Sequence, residues 1–488
     1  MPTDTAALVC SAYQAMKPRW DICRAVRGGT EVLCRTEAAT YLPRWEAETI
    51  KDWGTRQSIT FAYDAFSQGE NALIGLALRH GVELGDDVPE RIILDWEDID
   101  GQGTHGDIFA QYVLGDALVD GHAGILTEFP VLQSGMTLEE EAGLGIRAYF
   151  VRVRAQQIIN WRTIVYGGQQ RLALLVIKED SETEDGSFGA KTVTRYRVYR
   201  QHFRTRDRFG NSIQPYVTYQ VFTEEKAGVS RPQLIAGEVG EIRGPPWIPF
   251  APVYGGQQEG LLLSRPPLLG LAYTNIDHTQ IKSERRISQH LCSVPWRVIT
   301  GVDPKDETPI VVSATAATKL GQGAAASILE PAGNALADLR QELIDLEKRM
   351  ALQSGAMLDP DSAGEPATTA TEARIVHSQK ESKLARAVRS LEDGLEAGFG
   401  FMAAYYNLED GGSVTIRRDF GDFLSADQHR VLSEARARGD LTLETWLRVI
   451  KMAGMLPNDV EATAEAEAVR KEMGTEPGTE PATSGMVA

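Results

Sequence analysis

The sequence predicts an α+β protein of more than one domain. Three observations carry this: helix-period patterning over residues 1–145, a switch to period two from Tyr149, and a return to long helical patterns after Pro266-Pro267. At 488 residues the chain also exceeds the roughly 100–200 of an ordinary domain.

In the helical stretch 1–145, Tyr41-Leu42-Pro43 interrupts the chain. Trp45, Trp53, Phe61, Tyr63 and Phe66 then recur among charged residues toward Ala72-Leu73-Ile74-Gly75. A second helical pattern runs from Asp107 to Gly121 through Phe109, Tyr112, Val113 and Ala117, ahead of Ile125-Leu126. Over 146–250 the pattern is antiparallel β, because 149–153, 172–177, 193–199 and 216–222 alternate apolar and polar residues between turn-rich stretches. Gly244-Pro245-Pro246-Trp247-Ile248-Pro249-Phe250 is expected to close this region, since proline has no place in a central strand.

Helix 266–294 opens on two prolines, which suit a first helical turn. Its apolar stripe is thin: Leu269, Tyr273, Ile276, Ile287 and Leu291, with Gln280 and Ser283 at further core positions. A β-prone insert, 295–334, contains Trp296-Arg297-Val298-Ile299 and Pro309-Ile310-Val311-Val312. Helix 335–353 follows, where Leu336, Leu339, Leu343, Leu346 and Met350 step by three and four and form a narrow seam of heptad type. Residues 354–368 are hostile to helix, with Gly355, Pro360, Gly364 and Pro366. Thr369-Ala370-Thr371-Glu372 is a capping box that restarts a long helix past Leu384, Val388, Leu391 and Leu395 to Tyr406, within a segment 369–425. Gly394, Gly398 and Gly400 weaken its later part and would tolerate a kink. Helices are expected at 426–437 and 442–454 within a helical region 426–474, and 475–488 reads as a disordered acidic tail.

Lys+Arg number 50 against 68 Asp+Glu, a net charge of −18. A simple DNA-coating protein is excluded, because such proteins bind by displacing phosphate counterions with basic residues. No run reaches the ~20 apolar residues of a membrane helix, and the N-terminus lacks a signal-peptide pattern. Cys10, Cys23, Cys34 and Cys292 are too irregularly spaced for a disulfide framework or metal knuckle, which predicts a reducing, intracellular setting while the protein folds.

Local chemistry is sparse. The stretch Gly186-Ser187-Phe188-Gly189-Ala190-Lys191-Thr192 resembles a phosphate loop, but Ala190 stands where glycine is needed and strands flank it, so it reads as a hairpin turn. Asp95, Glu97, Asp98 and Asp100 could hold divalent metal for phosphoryl chemistry, or form a helix end and Asx turn leading into Gly101-Gln102-Gly103. The second reading is favoured, because no His-rich partner motif accompanies them. His105 and His122 lack ligand spacing and read as surface or packing residues. No Gly-x-Ser-x-Gly elbow anchors a hydrolase. Lys282, Arg285 and Arg286 form a basic cluster on the thin-striped helix: a solvated face, a nucleic-acid contact, or a contact for a neighbouring subunit's carboxylates.

Several stretches, in one order, resemble tailed-bacteriophage portal proteins, specifically a portal-like group catalogued as a domain of unknown function. They are Tyr41-Leu42-Pro43, Asp98-Ile99-Asp100-Gly101-Gln102-Gly103-Thr104, Gly121-His122-Ala123-Gly124-Ile125-Leu126, Arg147-Ala148-Tyr149, Ile158-Ile159-Asn160-Trp161-Arg162, Trp247-Ile248-Pro249-Phe250 and Thr369-Ala370-Thr371-Glu372-Ala373-Arg374. The resemblance covers residues 40–410.

It implies a portal fold: a mixed α/β wing (1–265), a two-helix stem (266–294 and 335–353), a small inserted α/β clip (295–334), a tunnel loop (354–368), a long kinked helix and a helical C-terminal crown (426–474). It implies a ring, usually of twelve copies, at one capsid vertex, through which double-stranded viral DNA is packaged and ejected. It implies no catalysis, no cofactor and no metal. Its partners would be further copies of the chain, the terminase large subunit, head–tail adaptor and tail proteins, and major capsid and scaffolding proteins. It would be assembled in the host cytoplasm, reside in the virion and touch no membrane.

On that resemblance Lys282, Arg285, Arg286, Lys348 and Arg349 are the expected DNA-channel residues. Ser354, Asp359, Asp361, Glu365 and Thr368 mark the tunnel loop, and Trp296, Arg297, Asp303 and Lys305 the clip's contacts with terminase or adaptor. A metal-dependent nuclease using the carboxylates at 95–100, or another virion component such as a minor capsid or adaptor protein, stands as the alternative.

Overall fold

A computed structural model describes residues 6–130, 145–185, 188–204, 214–225, 233–293, 296–300, 325–329, 334–354, 370–418, 426–452 and 462–472. Two units divide the chain, Met1–Arg417 and Arg418–Ala488.

The first unit opens on α1 (Ser11–Arg27), which buries Met16, Trp20, Cys23 and Val26. Short α2 (Gly29–Glu31), a π-helical turn and α3 (Ala38–Tyr41) follow, and Leu42-Pro43 ends the run. Thr49 caps α4 (Ile50–Ile59), accepting from Asp52 N at 3.1 Å, which satisfies one of the free amides of the first turn. Then come α5 (Ala65–Ala77), β1 (Glu83–Leu84), α6 (Glu90–Trp96) and α7 (Gly106–Asp120). α7 is buried on nearly every side and ends at Gly121, whose φ of 91° favours glycine. A Cβ there would also stand 2.3 Å from Ser264 O.

Gly121 turns the chain into β2 (His122–Glu128), the middle strand of a sheet ordered β3 (Tyr149–Arg154), β2, β9 (Phe250–Tyr254). Residues 1–145 are therefore not purely helical. β2 escaped detection because its residues 122–127 are all buried, and such a strand shows no alternation. β9 corrects a second expectation, for it contains Pro252. It is an edge strand, and Tyr254 N points away from β2 to donate to Ser390 Oγ at 2.8 Å. Two residues earlier, Pro252 faces the same outer side, where a missing N–H breaks no ladder bond.

A five-stranded antiparallel meander runs β4 (Ile158–Tyr166), β5 (Gln169–Asp185), β6 (Gly189–Arg204), β7 (Gln214–Glu225) and β8 (Gln233–Ile242). The phosphate-loop lookalike ends at the foot of β6, where Gly189 pairs with Asp185 in a hairpin. The core between the sheets joins Leu126, Val153 and Phe250 to Ile158, Leu175, Ile177, Tyr199 and Val217.

After the small pair β10 (Gln258–Gly260) and β11 (Leu263–Ser264) comes α8 (Leu269–Ser293). The described part of the insert is a two-stranded pair, β12 (Trp296–Thr300) with β13 (Ala325–Leu329). α9 (Asn334–Ser354) returns antiparallel against α8, and α10 (Ala370–Tyr406) lies on the three-stranded sheet. β14 (Val414–Thr415) closes the unit on β1. α10 is one continuous α-helix, and two of its glycines serve packing. A Cβ on Gly394 would stand 2.5 Å from Val253 Cγ2, and one on Gly398 2.6 Å from Phe150 Cζ.

In the second unit, α11 (Ala426–Arg438) lies against α12 (Leu443–Met452), and α12 packs with α13 (Ala462–Glu472) through Leu447 and Ala466. The tail 475–488 lies outside the described residues.

Candidate functional site

The α8/α9 hairpin carries most of the candidate residues. α8 does not bury the stripe expected of it. Leu269 is buried, but Tyr273 is 53% exposed and Ile276 and Ile287 are half-buried. The buried face is instead Leu271, Ala272, Thr274, Asn275, His278, Thr279 and Ser283. Its hydroxyls are satisfied locally: Thr274 Oγ1 donates to Gly270 O at 3.1 Å and Thr279 Oγ1 to Asn275 O at 2.8 Å. Gln280 Nε2 donates to Tyr41 O at 2.9 Å, tying α8 to the end of α3.

A buried polar contact on this face is Arg56 of α4. Its guanidinium clasps Glu48 through Nε at 2.7 Å and Nη2 at 2.8 Å, donates to Pro43 O at 2.7 Å and Ser283 Oγ at 3.3 Å, and stacks 4.1 Å from the Trp45 ring. The hydrogen bonds from Arg56 hold the Glu48 carboxyl below its ordinary pKa. Nearer the middle of the hairpin, His278 Nε2 meets Glu347 Oε1 of α9 at 3.2 Å, and burial lowers the imidazole pKa.

On α9, Leu343, Leu346 and Met350 are buried, whereas Leu336 and Leu339 are only half-covered within one chain. The seam is thus closed at the wing end and open toward the insert.

Lys282, Arg285 and Arg286 come together. With Gln289 they line a pocket of about 270 Å³, the spacing i, i+3, i+4, i+7 placing all four on one face of α8. Desolvation, and then the charge of Arg286, lower the pKa of Lys282. Among the described residues none of the three cations has an ion-pair partner. Lys348 and Arg349 do not join them: Lys348 lies 4.0 Å from Asp345, and Arg349 is exposed on α9.

Ser354 ends α9, while Asp359, Asp361, Glu365 and Thr368 lie outside the described residues, as do Asp303 and Lys305. Trp296 and Arg297 stand on β12, paired in register with Leu329 and Ile328.

Three of the four carboxylates at 95–100, those of Asp95, Asp98 and Asp100, are committed to structure, while Glu97 is exposed. Asp100 Oδ1 accepts from Gln102 N at 2.9 Å and Asp98 Oδ1 from Gly103 N at 2.6 Å, an Asx turn. Asp98 pairs with Arg147 at 2.7 Å, and Asp95 accepts from Tyr406 Oη at 2.6 Å. Among the described residues, no three His, Cys, Asp or Glu side chains converge as a metal cluster. His105 caps α7, and His122 is buried between Trp20 and Tyr254. Sequence reasoning missed a cavity of about 450 Å³ between β9 and α10, lined by Tyr254, Arg386, Arg389, Ser390 and Asp393. The one signal for it was an Arg-Ser-x-x-Asp run on a helix next to a proline-bearing strand.

A family model described as a domain of unknown function (DUF4055) matches residues 267–406, the hairpin with its insert and the whole of α10. No curated protein matches the chain. Solved structures with some likeness include the neck of a native GTA particle computed with C12 symmetry (TM-score 0.42, 11% identity, 81% of this chain and 90% of that one). Others are the virion of a native gene transfer agent particle (0.40, 11%, 81% and 91%) and the neck of an empty GTA particle computed with C6 symmetry (0.38, 11%, 85% and 91%). At these scores the likenesses fix neither the fold nor the role of this chain.

Proposed function

We propose that the chain is the subunit of a portal ring, the vertex channel through which a tailed-phage-type particle packages and releases double-stranded DNA. The observation that carries this reading is the antiparallel α8/α9 hairpin, interrupted by an insert and followed by α10. Such a hairpin suits a stem, and its half-open Leu336/Leu339 seam leaves apolar surface for further copies. The ordered sequence resemblance over 40–410 supports the same reading.

On this proposal the insert 295–334 docks terminase and then adaptor or tail proteins, and the loop 354–368 borders the channel. The acidic balance of −18 keeps DNA from adhering, because a lining rich in phosphate-binding cations would hold its cargo. The ring performs no catalytic step, and nucleotide hydrolysis belongs to the motor that docks on it.

The test is the mass of the purified full-length chain in solution. Twelve copies of a 53.5-kDa subunit would weigh about 640 kDa. A monomer at every concentration, or metal-dependent cleavage of DNA, would decide against the portal.

A further inference from the structure

We propose that the basic pocket on α8 receives the acidic flank of α9 from a second copy of this chain, an inference that rests on the ring reading above. Three cations crowd the pocket within two turns of one helix, and among the described residues none of them forms an ion pair; Glu347 of the same chain's α9 offsets the charge of Lys282 only in part. Lys282 is half-buried there and destabilised by Arg286. A partly desolvated cluster of like charges favours an anion from outside.

A suitable anion surface stands on the neighbouring helix but faces away. Asp338, Glu342 and Asp345 recur at i, i+4, i+7 along one exposed flank of α9. Glu347, which reaches His278 on α8, lies nine residues beyond Asp338 and so roughly half a turn round the helix. The acidic flank therefore looks away from its own α8. Asp338 and Glu342 have no ion-pair partner among the described residues, while Asp345 accepts from Gln341 Nε2 at 3.1 Å.

The register of the hairpin makes the match specific. His278 meets Glu347 at 3.2 Å, and a Cβ on Gly270 would stand 3.7 Å from Gln353 Nε2. Counting onward along both helices brings Lys282 level with Glu342 and Arg286 level with Asp338, to within about one residue, or 1.5 Å. Cyclic symmetry keeps every residue at the same height along the axis in every copy. In a hairpin standing along that axis, Lys282 thus faces Glu342, and Arg286 faces Asp338, of the next copy. The cations cover about 6 Å of α8, from Lys282 to Arg286, within the roughly 10 Å of α9 that carry the acidic stripe. The contact is heterologous, basic side to acidic side, which is the kind that closes a ring.

The experiment uses the full-length chain in two variants, K282E/R286E and D338K/E342K, with ring formation counted by mass photometry. Each variant alone juxtaposes like charges and is expected to form about tenfold fewer rings than the parent. An equimolar mixture restores them, because alternating copies again oppose unlike charges. If either reversal fails to fold, the neutral pair K282Q/R286Q takes its place, with fewer rings and a weaker dependence of assembly on salt expected. Variants that assemble like the parent, or a mixture no better than its parts, would overturn the proposal. So would a K282E/R286E chain that forms rings normally but no longer binds a short DNA duplex, since the pocket would then serve phosphate. A parent chain that forms no rings at all would instead sink the ring reading itself.

Discussion

Arg56 is held by Glu48, Pro43 O, Ser283 and the Trp45 ring, and it is 2% exposed. Removing one partner of a buried ion pair strands the other, at roughly 3–5 kcal/mol. Arg56→Ala is expected to cost that much in urea denaturation; a loss under about 1 kcal/mol would show that the clasp contributes little. His122 makes a pH prediction. Burial lowers its pKa to about 4, so the folded state holds the ring neutral while the unfolded chain takes a proton near pH 6.5. Stability from this group is complete above pH 6.5 and is lost as pH falls toward 4. Relative to His122→Phe, which keeps a ring but cannot protonate, the parent should lose about 3 kcal/mol over that window. Parallel stability curves for the two proteins would contradict this. Neither role was legible in sequence. Arg56 sits among ordinary surface charges, and a lone histidine carries no spacing to betray its burial.

At the scale of elements, apolar periodicity decided what could be read. The heptad seam on α9 is plain in sequence, and Leu343, Leu346 and Met350 are buried. The packed face of α8 was not legible, because hydroxyl, amide and imidazole groups fill it and the apolar residues Tyr273, Ile276 and Ile287 turn partly outward. β2 and β9 were hidden by complete burial and by Pro252. The glycines of α10 were visible but their purpose was not. Gly398→Ala is expected to destabilise by about 1–3 kcal/mol despite alanine's better helix propensity, because its Cβ drives into the buried Phe150 ring. Gly400→Ala, with nothing within 4 Å of its Cβ, should instead stabilise by roughly 0.5–1 kcal/mol. Thermal unfolding of the two variants checks the pair, and a shared sign would refute the packing account. On α9, Leu343→Ala should weaken ring formation more than Lys348→Ala, since a buried leucine truncation costs about 2–5 kcal/mol in every subunit. Equal, intact rings for both by light scattering would count against the seam.

For the whole molecule, the α+β class follows from where the pattern changes period, while the candidate site was only half legible. Lys282, Arg285 and Arg286 could be grouped from helical spacing, yet the level match to Asp338 and Glu342 needed the register of the hairpin. Lys348 and Arg349 were drawn in by charge alone and lie apart from the trio. The net charge of −18 makes sense for a channel that must release its cargo, and the same charge would suit many soluble proteins. Assembly is therefore what separates the portal reading from its rivals. The most direct measurement is electron-microscopic imaging of the purified full-length chain. The account predicts rings with an axial hole wide enough for a DNA duplex, their narrow end formed by the α8/α9 hairpins. Particles without a central channel, or single subunits at every concentration, would contradict it.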